Sequence, residues 1–183
     1  AEGSWDVALG EMSSPGYVGT YVLIQFGHND QPGKPGRSTD LATEFPANLR
    51  RYVAETRERG AIPILLTPLT RRQFVDGVLQ NDLEPWADAV RAVAAETDTP
   101  LVDLHRLSSE AVQALGPAVS ASFAQVAPSQ VVATALLTGT TIEASTGQAP
   151  AAPAANVLNN AALEPMGQAR IALDYTHLRA PGA

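Results

Sequence analysis

The sequence predicts an α/β fold, a parallel sheet flanked by helices, and two observations carry that prediction. Three apolar runs, at residues 21–26 (YVLIQF), 62–66 (IPILL) and 101–104 (LVDL), have the length and composition of strands in a parallel sheet. Segments of helical periodicity separate them, and such alternation implies right-handed crossovers with helices on both faces. At 183 residues the chain is most simply one domain, and 45% hydrophobic against 17% charged residues gives it enough apolar material for a core.

Each element has its own signal. Residues 5–12 read as a short helix, followed by a loop at Ser13-Ser14-Pro15-Gly16. After the first strand, Leu41, Phe45, Leu49, Tyr52 and Val53 fall on one helical face. Pro46 sets the regular start of that helix close to itself, since proline is tolerated in a first turn, and Gly60 is a natural stop. The next helix is expected to start near Asp82, an N-cap residue type with Pro85 close behind, and to end before Thr99-Pro100. It presents Trp86, Val90, Val93 and Ala94, which makes Trp86 a core residue before a sugar platform. A further helix is expected over residues 108–115, stopping at Gly116-Pro117. The stretch 118–155 differs: Glu143 is its only charged residue, residues 148–155 (QAPAAPAA) read as an extended or flexible linker, and residues 131–137 fit a strand or a helical turn equally well. We read about 118–155 as an insertion.

Composition removes several functions. A net charge of −7, from 12 basic and 19 acidic residues, argues against a broad basic surface for nucleic acid. Without cysteine there are no disulfides and no thiolate metal sites. No apolar stretch reaches the roughly 20 residues that span a bilayer, so no membrane partner is expected. The three histidines are scattered and form no H-E-x-x-H, which leaves no metal site to expect.

The chemistry lies in two short motifs. Gly27-His28-Asn29-Asp30 follows the first strand, and sites in open parallel sheets form at the carboxyl ends of strands. Glycine there permits a close backbone approach, and the Asn29 amide is a neutral donor suited to a developing oxyanion. A plain strand-to-loop turn would use the same residue types. Asp174-Tyr175-Thr176-His177 sets a carboxylate three residues before an imidazole, a spacing at which the two can meet. The carboxylate could bind Nδ1–H and leave Nε2 to take a proton from a nucleophile. A surface histidine with a local aspartate contact is the plainer alternative. Asp30 is read as a partner for its own loop or for the His28 ring, and not as catalytic.

Taken together, YVLIQFGHNDQ at 21–31 and DYTHLRAPGA at 174–183 resemble the SGNH (GDSL-type) hydrolases, most closely their rhamnogalacturonan acetylesterase-like branch. Ile64-Leu65-Leu66-Thr67-Pro68 with Arg71-Arg72, and Pro100-Leu101-Val102-Asp103-Leu104, are similar to the family's next two strands and their loops. The resemblance implies a three-layer, flavodoxin-like sheet of order 2-1-3-4-5, of which this chain holds an incomplete part: the first strands and the last helix are missing. Residues 1–183 are then a single partial SGNH domain. Carried over, Asn29 is an oxyanion-hole donor, His177 the general base, Asp174 its orienting partner, and Gly27 shapes the loop that places Asn29. Arg71 and Arg72 are candidates for contact with an acidic sugar, against the alternative of a solvated charged loop. Asp103 receives no catalytic role.

The family places its nucleophilic serine in a G-D-S-like block upstream of G-x-N-D, and the 26 residues before Gly27 hold no such block. Ser4, Ser13 and Ser14 are the only serines there, and their settings fit poorly. The expected function is therefore ester hydrolysis, removal of acetyl groups from a carbohydrate, with the serine outside this chain and the chain alone inactive. No cofactor is required. The alternative is a catalytically inactive carbohydrate-binding or interaction module, and a third option is lipid or thioester hydrolysis. The resemblance also implies an extracellular or periplasmic setting. Without the neighbouring strand, the edge at residues 21–26 would be exposed and invite self-association.

Overall fold

The computed structural model describes residues 3–34, 36–142, 173 and 175–178. In chain order its elements are α1 (Ser4–Glu11), β1 (Tyr21–Gln25), α2 (Glu44–Glu58), β2 (Ile62–Leu66), β3 (Phe74–Val75), β4 (Val78–Leu79), α3 (Glu84–Glu96), β5 (Leu101–Val102), α4 (Leu104–Ser120) and α5 (Gln130–Leu137), with a 3-10 turn at Ala121–Phe123. The chain forms two compact units. The first holds residues 1–70 and 81–111, and the second residues 71–80 and 112–183.

The first unit contains the predicted parallel sheet, in the order β1-β2-β5. Register pairs Tyr21 with Ile62 and Ile24 with Leu65, and Leu65 with Leu101. Period-two alternation then puts Val22, Ile24, Pro63 and Leu65 on one face. That face meets α2 and α3 in a core built from Phe45, Leu49, Val53, Leu83, Trp86, Val90 and Val93. Phe45 and Trp86 meet edge to face, with centroids 4.8 Å apart and an interplanar angle of 84°, so Trp86 is a core residue. The opposite face is less covered: Tyr21 and Leu23 are each 64% exposed. β1 is therefore buried on one face only, and it also forms an edge of the sheet.

Three boundaries differ from expectation for local reasons. α3 starts at Glu84 behind Leu83, which has no side-chain cap, and the Asp82 carboxylate accepts a hydrogen bond from Gln31 Nε2 at 3.2 Å. The third strand ends at Val102. Asp103 turns the chain by accepting from Arg106 N–H at 3.2 Å, as an N-cap does, and α4 begins at Leu104 rather than near 108. Gly116, at φ 72°, breaks α4 where a stop was expected, but helix resumes through Ser120.

In the second unit, residues 131–137 are helical: Ser129 Oγ caps α5 by accepting from Val132 N–H. The linker at 148–155 and Glu143 lie outside the described residues. The sequence reading missed the antiparallel hairpin β3–β4. Its turn is Asp76-Gly77, at φ 50° and 78°, the two positive φ values that a type I′ turn needs. An Asp-Gly pair between Phe74-Val75 and Val78-Leu79 is a hairpin signal that could have been read.

Candidate active site

The Gly27–Asp30 turn is built by the first unit. Gly27 is buried with φ 130°, and a Cβ there would stand 3.0 Å from Pro68 Cγ. Only glycine allows β1 to end this close to the loop after β2. The Asp30 carboxylate folds back to accept from Gly27 N–H at 2.9 Å and from the Thr39 hydroxyl at 3.3 Å. Asp30 thus serves its own loop, one of the two roles expected of it. His28 Nε2 lies 2.8 Å from the Leu69 carbonyl, which ties the loop after β1 to the loop after β2.

Between these anchored neighbours, Asn29 projects outward. Its side chain is exposed and makes no hydrogen bond among the described residues. It lines a cavity of about 510 Å³ together with Phe26, Arg37, Asn48 and Tyr52. Phe26 and Tyr52 stack there at 5.1 Å, and the Arg51 guanidinium lies 5.3 Å from the Tyr52 ring. Ser4 also lines this cavity, which the sequence reading did not foresee. The histidines of the first unit are committed elsewhere. His28 is bound as above, and the fully buried His105 sets Nδ1 3.0 Å from the Pro68 carbonyl and Nε2 against Asn81 and Glu84.

Beneath the strand ends, Asp103 receives a two-pronged contact from Arg91, at 3.0 and 3.1 Å, and accepts from the Thr67 hydroxyl at 3.0 Å. Burial raises the Asp103 carboxyl, but these hydrogen bonds outweigh it and hold the group below the usual carboxylate range. The Arg91 guanidinium is correspondingly held charged, first by Asp103. Asp103 thus ties the end of β2, α3 and the start of α4 together.

The other motif belongs to the second unit. Asp174 lies outside the described residues, and so does its expected pairing with His177. His177 is exposed, while Tyr175 is buried. Arg72 is only 3% exposed, so the alternative of a solvated loop fails for it. Its backbone N–H donates to the Tyr175 carbonyl at 2.9 Å. Its guanidinium donates to the carbonyls of Thr176, at 3.4 Å, and His177, at 2.9 Å. Arg71 is half-buried. The Tyr175 hydroxyl donates to the Ile142 carbonyl. The strap that carries Ile142 is itself pinned to the hairpin, by Thr141 N–H to the Phe74 carbonyl and Gly77 N–H to the Gly139 carbonyl. No group of three or more His, Cys, Asp or Glu able to hold a metal occurs among the described residues. No helix among them is long and apolar enough to cross a membrane.

A parallel sheet under helices, with a G-x-N-D turn at a strand end and a D-x-x-H segment near the other terminus, defines an SGNH-type hydrolase scaffold. The family model of the GDSL-like lipase/acylhydrolases matches residues 2–120, and the chain belongs to that family. Rhamnogalacturonan acetylesterase RhgT of Bacillus subtilis (strain 168) is 40% identical over 100 residues, covering 54% of this chain and 42% of its own length. The probable rhamnogalacturonan acetylesterase YesY of the same organism is 39% identical over 85 residues, covering 46% and 39%. The chain thus spans about two-fifths of the length of these curated relatives. Among solved structures, a catalytic mutant of an acetylxylan esterase from Geobacillus stearothermophilus superposes with a TM-score of 0.51 at 24% identity, over 75% of this chain and 64% of its own, a likeness of fold.

Proposed function

We propose that this chain is part of a carbohydrate acetylesterase that works by a Ser-His-Asp mechanism. The observation that carries the reading is Asn29: an unspent amide donor at the carboxyl end of a parallel strand, beside a cavity of about 510 Å³. Such a donor has its largest effect where negative charge develops. A serine from outside these residues attacks the acetyl carbonyl, and His177 Nε2 takes its proton. The oxyanion is held by Asn29 and backbone N–H groups, while Asp174 orients the imidazole through Nδ1. Collapse expels the sugar hydroxyl with the proton from His177. Water, activated by the same base, then releases acetate from the acyl-serine.

The activity in the relatives' names supports a pectin-like, rhamnogalacturonan substrate, and an extracellular or periplasmic setting is implied by the family resemblance alone. The resemblance supports reading the whole chain as part of one SGNH domain, with about 118–155 inserted. Arg71 remains a candidate sugar contact. The competing reading is a carbohydrate-binding or interaction module without activity. The complete protein, assayed on an acetylated chromogenic ester, separates the two: His177→Ala should lower kcat by about 10⁴-fold or more. Unchanged turnover in that variant would remove His177 from the mechanism. For the isolated chain, the β1 edge, with Tyr21 and Leu23 each 64% exposed, supports self-association. A monodisperse monomer in sedimentation velocity would contradict that.

A further inference from the structure

We propose that Arg72 is a positioning residue for His177, acting through the backbone carbonyls on either side of its Cα. The inference rests on the proposed role of His177 as general base. Arg72 is buried, and a buried guanidinium is costly unless its donors are used. Two of them go to consecutive carbonyls, those of Thr176 and His177.

The choice of carbonyls is what gives the contact its meaning. The Thr176 carbonyl belongs to the peptide plane before the His177 Cα, and the His177 carbonyl to the plane after it. Peptide units are rigid, so the only soft torsions between those planes are φ and ψ of His177. Holding both planes from one rigid fork fixes those torsions, and with them the direction in which Cα–Cβ leaves the chain. Lysine offers a point charge and no fork, so it can hold one plane well and not both. The anchoring extends backward. Arg72 N–H binds the Tyr175 carbonyl at 2.9 Å, and the buried Tyr175 passes the restraint to Ile142 through its hydroxyl. His177 is otherwise exposed, so apolar packing does not orient it. A general base displaced by about 1 Å loses on the order of 100-fold in rate, which is the loss Arg72 would prevent.

The test uses the complete protein and an acetylated chromogenic ester, with Arg72→Met, Arg72→Lys and His177→Ala compared well below each variant's melting temperature. Arg72→Met is expected to lower kcat by about 100-fold with KM within about twofold, and Arg72→Lys to recover part of this, to a loss of about tenfold. A role in folding alone would instead reduce active enzyme in proportion to the unfolded fraction, and titration of active sites would reveal that. That result would overturn the inference. So would a kcat within about twofold of the parent in both Arg72 variants while His177→Ala abolishes turnover, an outcome that leaves the proposed reaction standing. If His177→Ala keeps full turnover, the reaction and the inference fall together. Should Arg72→Met not fold, Arg72→Lys against the parent decides, because it keeps the charge and loses the fork.

Discussion

The two units hold their motifs by different physics. The Gly27–Asp30 turn rides on an apolar core: Ile24 and Leu65 lie beneath it, and Phe45, Leu49 and Trp86 are packed against them. His177 is held by a polar bracket of backbone carbonyls, an arginine fork and a tyrosine hydroxyl. The core tolerates small changes by repacking, whereas a hydrogen-bonded bracket depends on the one side chain with the right fork. Damage to the first should therefore appear as lost stability, and damage to the second as lost rate.

The sharpest way to break that contrast is Phe45→Ala. Phe45 is 1% exposed and meets Trp86 edge to face, so its removal leaves a cavity and should destabilise the protein by about 3–5 kcal/mol in denaturant unfolding. A loss below about 1 kcal/mol would mean that the apolar core does not carry the first unit. Next in size is Asn29→Ala. The side chain is exposed and makes no hydrogen bond among the described residues, so the melting temperature should hold. kcat of the complete protein should fall by about 100- to 1,000-fold. A shift in melting temperature with kcat intact would reverse the assignment and make Asn29 a structural loop residue.

The smallest effect expected is on acid stability. Asp103 is held below its ordinary pKa in the folded state, so between the folded and unfolded values the unfolded chain binds more protons. Its contribution is therefore complete above about pH 5, declines as pH falls through about 4, and is lost once the folded value is passed. Melting temperatures from pH 7 to pH 3 should show a shallower acid decline in Asp103→Asn than in the parent. Glu84, also held low against burial by Arg91 and Asn81, retains part of the slope. Parallel curves would remove Asp103 from the account.

Much of the first unit was legible because its signals are local. The apolar runs, the α2 face from Phe45 to Val53 and the Gly27 turn all report on neighbours within a few residues. The start of α4 was placed too late because a residue that follows a strand and one that caps a helix look alike in sequence, and Asp103 is both. The hairpin at Phe74–Leu79 was overlooked although Asp76-Gly77 carries its turn chemistry, since strands of two residues leave no alternation to detect. Arg72 could not have been read at all. Its partners stand 104 and 105 positions further along the chain, and no periodicity connects an arginine to a distant carbonyl.

That separation also has a consequence in time. A chain is synthesised from its amino end, and contacts between distant residues form late because loop closure must come first. Arg72 emerges more than a hundred residues ahead of the carbonyls it binds, and the strands and helices of the first unit, complete by residue 111, also precede those carbonyls. The order of assembly is then built into the connectivity: the first unit before the bracket around His177. A nascent chain therefore carries the Gly27–Asp30 turn and its cavity well before the segment that holds His177 has been made.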